Sequence, residues 1–227
     1  DLEEDPLQVF AEPYNTLIVA KNGFRNPIPE VIHMEPKENI KAWVDRKLFI
    51  HNLGHATAAY LGFRKNPRAV YLYEVLEDPE IFMRTKQTML QSAGILTAIY
   101  PGEFSYSQLE EHIDDLLERF RNKALGDTLF RVGCDLRRKL SPEDRIVAPI
   151  KAALSLNKPC DLILETLKAA MNFRAKDENG NFFPADDSFF KEAEKGSGYL
   201  LEHICGLPSD ILDNNLIHLP DNHQKTE

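Results

Sequence analysis

A chain of 227 residues with 43% hydrophobic and 28% charged residues can bury a substantial core, as an ordinary globular domain does. Its formal charge of −9 argues against nucleic acid and anionic membranes as partners, because both are bound through basic surfaces. Three widely spaced cysteines fit neither a disulfide framework nor a zinc site and favour a reducing, cytoplasmic location.

The order of patterns along the chain predicts a mainly α, multi-helical domain that follows a short extended or β segment. Residues 1–35 contain several prolines and one β-like run, Leu17 to Ala20, so they are predicted to be extended. Residues 36–220 form the predicted helical domain, and residues 221–227 a frayed tail. The apolar spacing predicts helices over about 38–61, 66–77, 79–100, 107–121, 127–139, 142–156, 159–174, 186–205 and 208–217.

Three of these helices have a local start signal. In Ser141-Pro142-Glu143-Asp144 a hydroxyl can cap free N–H groups, proline fits the first turn, and two carboxylates lie at the positive end of the helix dipole. Ser107-Gln108-Leu109-Glu110 has the spacing of a capping box. Asp127 is a good cap for the segment after Gly126. Helices are therefore predicted to begin at these positions.

The most informative stretch lies in the first long helix. At about 100° per residue, four polar side chains fall within about 140° of one another on one side of it: Lys47, His51, Asn52 and His55. Apolar side chains cover much of the remaining circumference, which predicts a helix surrounded by protein: Leu48, Phe49 and Leu53. Buried polar groups need partners or a purpose, so this side is a candidate site.

Two other interpretations of these residues stay open. A lysine can reach solvent, an asparagine can bond a neighbouring backbone, and a lone histidine is often a satisfied core residue. His51 and His55 also stand four positions apart, as in helical zinc sites, but no carboxylate or thiol lies at a matching offset on this helix. No metal is assigned to them.

The wider context of these residues resembles a known enzyme family. Lys47-x4-Asn52-x2-His55, with Asp45-Arg46 before it and Tyr60-Leu61-Gly62 after it, closely resembles the signature of the long-chain mannitol dehydrogenase family. The resemblance extends from near residue 5 to about residue 175, and the stretch from Asp177 onward carries no functional signal. It implies the C-terminal domain of a polyol dehydrogenase, which interconverts a secondary alcohol and a ketose with NAD or NADP and without a metal.

The resemblance also implies a role for three residues. Lys47 matches the family's general base, a function that favours a buried lysine because desolvation makes an ammonium group release its proton more readily. Asn52 matches the asparagine whose amide N–H groups stabilise the developing oxyanion. His55 matches the histidine that holds a substrate hydroxyl. No role is carried over for His51.

A second region of similarity indicates one branch of the family. Arg119-Phe120-x-Asn122 and the stretch 131–145 resemble mannitol-1-phosphate 5-dehydrogenases, although the chain departs from their pattern at Lys123, Cys134 and Leu136. The implied reaction interconverts mannitol 1-phosphate and fructose 6-phosphate. Basic residues concentrate here in an acidic chain, and four are phosphate candidates: Arg131, Arg138, Lys139 and Arg145. Arg137 is expected to face water, and a solvated basic surface that closes helix C-termini is the structural alternative.

No Gly-x-Gly-x-x-Gly motif occurs in the chain, so the phosphate-binding turn of a Rossmann unit is missing from it. We expect an N-terminal Rossmann domain before Asp1 to bind the cofactor, with the active site in the cleft between the two domains. A polyol or sugar phosphate is then the substrate. The alternatives are a mannitol 2-dehydrogenase or hexuronate reductase and, in another class, a non-catalytic helical ligand-binding or interaction module.

Overall fold

Residues 16–214 are described by the computed structural model, and the chain divides between Val44 and Asp45 into two compact units. In the first unit, strand β1 (Leu17–Ala20) pairs in parallel with strand β2 (Met34–Lys37), and Leu17 lies opposite Met34. The predicted β-like run is therefore confirmed. Strand β2 includes Pro36, from which the sequence predicts helical structure, and so it runs past the predicted boundary at residue 35.

Helices make up most of the remainder. Helix α1 (Ile40–Arg46) leads into a π-helical turn (Lys47–Asn52) and then into helix α2 (Leu53–Lys65). The α-helices that follow are α3 (Leu72–Leu76), α4 (Pro79–Ile99), α5 (Tyr106–Phe120), α6 (Leu129–Gly133), α7 (Leu136–Lys139), α8 (Val147–Ser155), α9 (Asp161–Met171), α10 (Asp186–Ala193), α11 (Ser197–Leu200) and α12 (Ile211–Asn214), and a second π-helical turn (Leu201–Cys205) follows α11.

The predicted fold class, mainly α with a short extended segment, is confirmed by these elements. The predicted tail, 221–227, and the end of the last predicted helix, 215–217, lie outside the described residues. Within residues 16–214, no helix is both long enough and apolar enough to cross a membrane.

Helix α2 lies at the centre of the second unit. Its side chains from Ala56 to Leu61 are buried, and it packs against helices α3, α4, α6 and α9. Two glycines permit this close approach. A Cβ at Gly54 would lie 2.4 Å from Sδ of Met89 on α4, and a Cβ at Gly62 would lie 2.5 Å from Cγ2 of Val75 on α3. The expected helix surrounded by protein is confirmed for α2.

Two predicted helices are interrupted. The helix predicted over 127–139 is broken between α6 and α7 by Asp135, whose φ of 68° is left-handed. The carboxylate of Asp186, far along the chain, accepts the N–H groups of Asp135 at 3.1 Å and Leu136 at 2.7 Å, which stabilises this break. The helix predicted over 186–205 is broken at Gly196, which has a φ of 99°.

The predicted helix start at Ser141 is wrong. Helix α8 begins at Val147, and residues 141–146 form turns. The Asp144 carboxylate accepts the N–H of Arg145 at 2.6 Å and pairs with the side chains of Arg138 and Arg145, so it does not cap a helix. The capping box of α5 is formed by Ser105 and Gln108, two residues before the predicted one. Helix α3 begins at Leu72 rather than near residue 66.

The close approach at Gly62 generates a stability prediction. Gly62→Ala should destabilise the chain by about 1 to 3 kcal/mol, because the new methyl group overlaps the branched side chain of Val75. Gly94→Ala is the matched control, since a Cβ at Gly94 in α4 meets nothing within 4 Å and alanine favours a helix. Urea unfolding of both variants tests this, and a Gly62→Ala variant as stable as Gly94→Ala would contradict the packing described.

Candidate functional site

The candidate site begins on the π-helical turn between α1 and α2. The N–H of Leu53 bonds the carbonyl of Leu48, five residues back, as in a π-helix. The α-helical step of about 100° therefore does not hold across this turn, and the angles inferred from the sequence are wrong there. Lys47 and Asn52 stand at the first and last positions of the turn, and His55 lies three residues further, in α2.

These residues differ in burial. Lys47 is exposed, whereas His51, Asn52 and His55 are half-buried. Phe49, Ile50 and Leu53 turn into the core and anchor the same stretch of helix. Lys47 is expected from the sequence to be buried, but it is the first residue of the turn and lies at the surface of the described part of the chain.

His55 is held by two contacts from the segment around residues 120–127. Its Nε2 lies 2.9 Å from Oδ2 of Asp127, and its ring stacks on Phe120 with centroids 4.8 Å apart and planes 19° apart. The side chains of His55 and Asp127 are 20% and 11% exposed. The other oxygen of Asp127 pairs with the guanidinium of Arg131. Asp127 therefore bonds side chains and does not cap α6; Thr128 caps that helix instead.

The neighbourhood of His51 is positively charged. Its ring lies 5.5 Å from Phe120 and 6.1 Å from His55, measured between centroids. Burial, and then the charges of His55, Arg119 and Lys47, lower the pKa of His51 to about 4. Burial, followed by the charge of Arg46, also lowers the pKa of His112 on α5 to about 4. A local concentration of basic groups thus surrounds the candidate site in an acidic chain.

The basic segment 131–145 does not form one cluster. Arg131 pairs with Asp127 and is thereby linked to His55. Arg138 pairs with Asp135 and Asp144. Arg145 also pairs with Asp144, with its Nε 2.8 Å from the carboxylate, while the exposed Arg137 pairs with Glu192. Each of these guanidinium groups has a carboxylate partner with which a phosphate would compete.

Lys139 lies in the interior rather than on the basic surface. It is 5% exposed, and its Nζ donates to the carbonyl of Val132 at 2.6 Å. Burial lowers its pKa to about 8. A buried ammonium group bonded to the backbone supports the connection between α6 and α7, and its assignment to phosphate stays a prediction.

The sequence did not indicate the Asp127–His55 pair or the position of His112. Asp127 is 72 residues from His55 and has the local pattern of a helix cap. His112 and Arg119 stand seven positions apart on α5, which is the one signal that could have placed them on the same side of a helix. Among the residues described, no group of three or more His, Cys, Asp or Glu side chains could hold a metal ion.

Residues 39–203 match the model of the mannitol dehydrogenase C-terminal domain family, which covers most of the chain. The chain therefore belongs to this family. The match includes the π-helical turn, the Asp127–His55 pair and the basic segment.

Solved structures of two polyol dehydrogenases have a similar fold. One is the mannitol 2-dehydrogenase of Pseudomonas fluorescens in a ternary complex with NAD and D-mannitol, at 21% identity and a TM-score of 0.61; the match covers 80% of this chain and 37% of that one. The other is a D-sorbitol dehydrogenase in substrate-free form, at 18% identity and a TM-score of 0.55, with 78% and 35% covered. The chain spans a little over a third of the length of these proteins.

The lowered pKa values of His51 and His112 predict that acid destabilises the fold. Both groups have a pKa near 4 in the folded chain and near 6.5 when unfolded, so the unfolded state binds more protons between these pH values. Their contribution to the free energy of unfolding is complete above pH 6.5 and is lost as the pH falls toward 4.

Urea unfolding between pH 7 and pH 4.5 measures this dependence. In His51→Gln, the free energy of unfolding should fall by roughly 1 to 2 kcal/mol less across that range than in the wild-type chain, since one pKa unit corresponds to about 1.4 kcal/mol. Gly94→Ala, which removes no titratable group, is the control and should leave the slope unchanged. Equal slopes for the wild-type chain and His51→Gln would contradict the burial assigned to His51.

Proposed function

We propose that this chain is the substrate-binding, catalytic domain of an NAD- or NADP-dependent polyol dehydrogenase. The observation that carries the proposal is the placement of Lys47, Asn52 and His55 on and just after a π-helical turn, within the residues that match the family. π-helical turns are uncommon and occur frequently at functional sites. The Pseudomonas fluorescens neighbour, which binds NAD and D-mannitol, supports a polyol as the substrate class.

Alcohol oxidation requires a proton to leave the hydroxyl while hydride leaves the carbon. In this proposal Lys47 accepts the hydroxyl proton as general base. The amide of Asn52 donates a hydrogen bond to the oxygen on which negative charge develops, and His55 binds a neighbouring hydroxyl. Because Lys47 is exposed in the described residues, its desolvation depends on closure of the site by substrate and a further domain.

The nicotinamide cofactor, when bound, supplies the hydride acceptor for this reaction. The residues of this chain do not fit the dinucleotide by themselves, because no Gly-x-Gly-x-x-Gly turn is present to bind its phosphates. We propose that an N-terminal Rossmann domain of the same protein binds it. The choice between NAD and NADP then belongs to that domain.

For the substrate we propose mannitol 1-phosphate and, in the reverse direction, fructose 6-phosphate. The support is the branch-specific pattern in 131–145 and the basic surroundings of His51. Arg131 is the phosphate candidate linked to the candidate site through Asp127, while Arg138 and Arg145 meet at Asp144.

The second candidate is a mannitol 2-dehydrogenase or hexuronate reductase. The pairing of every guanidinium in 131–145 with a carboxylate favours the mannitol 2-dehydrogenase, whose substrate is uncharged, since a neutralised arginine binds an anionic group less well. Initial rates for phosphorylated and free sugars with both cofactors separate these candidates. A preference for the phosphorylated substrate supports the first, and a preference for free mannitol or for a sugar acid supports the second.

The proposed base generates a kinetic prediction. In a protein that contains this chain and the cofactor domain, Lys47→Ala should lower kcat by roughly 10² to 10⁴, which is the usual contribution of general acid–base catalysis. The pH dependence of the rate should lose the limb that reports the base. Lys158→Ala, at an exposed lysine far along the chain, is the control and should retain the full rate. An unchanged pH–rate profile in Lys47→Ala would remove Lys47 from the mechanism.

The phosphate assignment generates a second kinetic prediction. Arg138→Ala should raise the KM for mannitol 1-phosphate or fructose 6-phosphate, with little effect on unphosphorylated mannitol or fructose; because its side chain is 53% exposed, the loss reaches about 2 to 5 kcal/mol only when bound substrate desolvates the guanidinium. Arg137→Ala is the matched control, because Arg137 is equally exposed and also pairs with a carboxylate. If Arg138→Ala affects both substrate types equally, the phosphate assignment is wrong and the mannitol 2-dehydrogenase proposal takes precedence.

A further inference from the structure

Asp127 is fixed in position by its backbone. Its carbonyl accepts the N–H of Leu72 at 2.8 Å, and the N–H of Leu129 bonds the carbonyl of Val70 at 2.8 Å. A β-bridge between Tyr71 and Thr128 lies between these two bonds. The segment 127–129 is thus tied to the segment 70–72, and the carboxylate of Asp127 leaves it in a defined direction.

The two oxygens of this carboxylate have different partners. Oδ2 lies 2.9 Å from Nε2 of His55, and Oδ1 pairs with the guanidinium of Arg131. Thr128 accepts the N–H of Arg131 at 3.1 Å, so the start of α6 is capped without Asp127. The carboxylate is 11% exposed, and the charge of Arg131 favours its ionised form.

An ionised carboxylate accepts hydrogen bonds but cannot donate them. The hydrogen between Oδ2 and Nε2 must therefore be carried by His55, which places the proton of the neutral imidazole on Nε2 and the lone pair on Nδ1. The stacked ring of Phe120, 4.8 Å away and tilted by 19°, holds the plane of the imidazole. Tautomer and ring orientation are thus both set from outside α2.

We infer that Asp127 is a positioning residue that holds the neutral His55 side chain in the Nε2–H tautomer, so that any hydrogen bond His55 makes to a substrate hydroxyl through Nδ1 is one that it accepts. The tautomer follows from the contacts of Asp127 and His55 alone. The statement about substrate rests on the proposed function. In this arrangement the guanidinium of Arg131 is the partner of the second oxygen of Asp127.

The tautomer can be measured directly on the 227-residue chain. The ¹⁵N shifts of His55, recorded at pH 8 with labelled histidine, should show a proton on Nε2 and none on Nδ1 in the wild-type chain. In Asp127→Asn, Arg131 donates to the amide oxygen and the amide N–H group faces His55, so Nε2 must accept and the proton should move to Nδ1. Asp135→Asn is the matched control: it removes another aspartate–arginine ion pair and should leave the tautomer unchanged.

Kinetics of the protein with its cofactor domain test the substrate part. Asp127→Asn should lower kcat/KM for the polyol by about 10- to 100-fold, by analogy with the loss seen when the carboxylate that orients a metal-bound histidine is removed. Asp135→Asn should not produce this loss. A wild-type His55 with its proton on Nδ1 or on both nitrogens, or a folded Asp127→Asn chain that keeps the Nε2–H tautomer, would overturn the inference. A shifted tautomer with unchanged kcat/KM would overturn the substrate part, whereas a protein without polyol activity would reject the proposed function and leave the tautomer result intact.

Discussion

Two glycines allow helix α2 to be packed closely by its neighbours, and the candidate site depends on this packing. Gly54 admits Met89 from α4, and Gly62 admits Val75 from α3, so the backbone of α2 is held near both of its ends. Closely packed protein interiors have low compressibility, so a small displacement of one helix is transmitted to its neighbours. His55 lies one residue from Gly54, and its ring is therefore placed by a helix that has little freedom to move.

Charge pairing is the second constraint on function. The chain carries nine more acidic than basic residues, yet the groups around His51 are basic, and the guanidinium groups in 131–145 each meet a carboxylate. An anionic substrate end must compete with Asp127, Asp135 or Asp144 for those groups. Lys47, Arg119 and Arg46 place positive charge near His51 and His112, whose lowered pKa leaves them neutral at pH 7, and this charge favours the approach of an electron-rich oxygen.

The sequence could predict the fold class, the long helices and the polar stretch 47–55, because these depend on local periodicity. It could not predict features that arise from contacts between distant residues. Asp186 accepts the N–H groups of Asp135 and Leu136, about fifty positions earlier, and so stabilises the start of α7 after the break. Asp144, predicted to lie in the first turn of a helix, pairs with Arg138 and Arg145, and Asp127, predicted to cap a helix, contacts His55 72 residues away as well as Arg131. In both cases a carboxylate suited to a helix terminus bonds other side chains instead.

The π-helical turn is the other feature that local reasoning missed. A count of about 100° per residue places Lys47 and Asn52 as if the helix were regular, whereas the bond from Leu53 to Leu48 widens the turn between them. The spacing of Lys47, Asn52 and His55 still matched the family signature, because a signature records positions along the chain and does not depend on helix geometry. Their identities could therefore be predicted, but their arrangement and the exposure of Lys47 could not.

In the proposed function, this chain handles the proton and a further domain binds the cofactor. Measuring NAD(P)H production from mannitol and mannitol 1-phosphate with the purified 227-residue chain, alongside a protein that also contains the proposed cofactor domain, tests this division. Circular dichroism establishes that the chain is folded. The account predicts a helical, folded chain with no turnover and a longer protein that is active. Cofactor-linked polyol oxidation by the chain alone would contradict it.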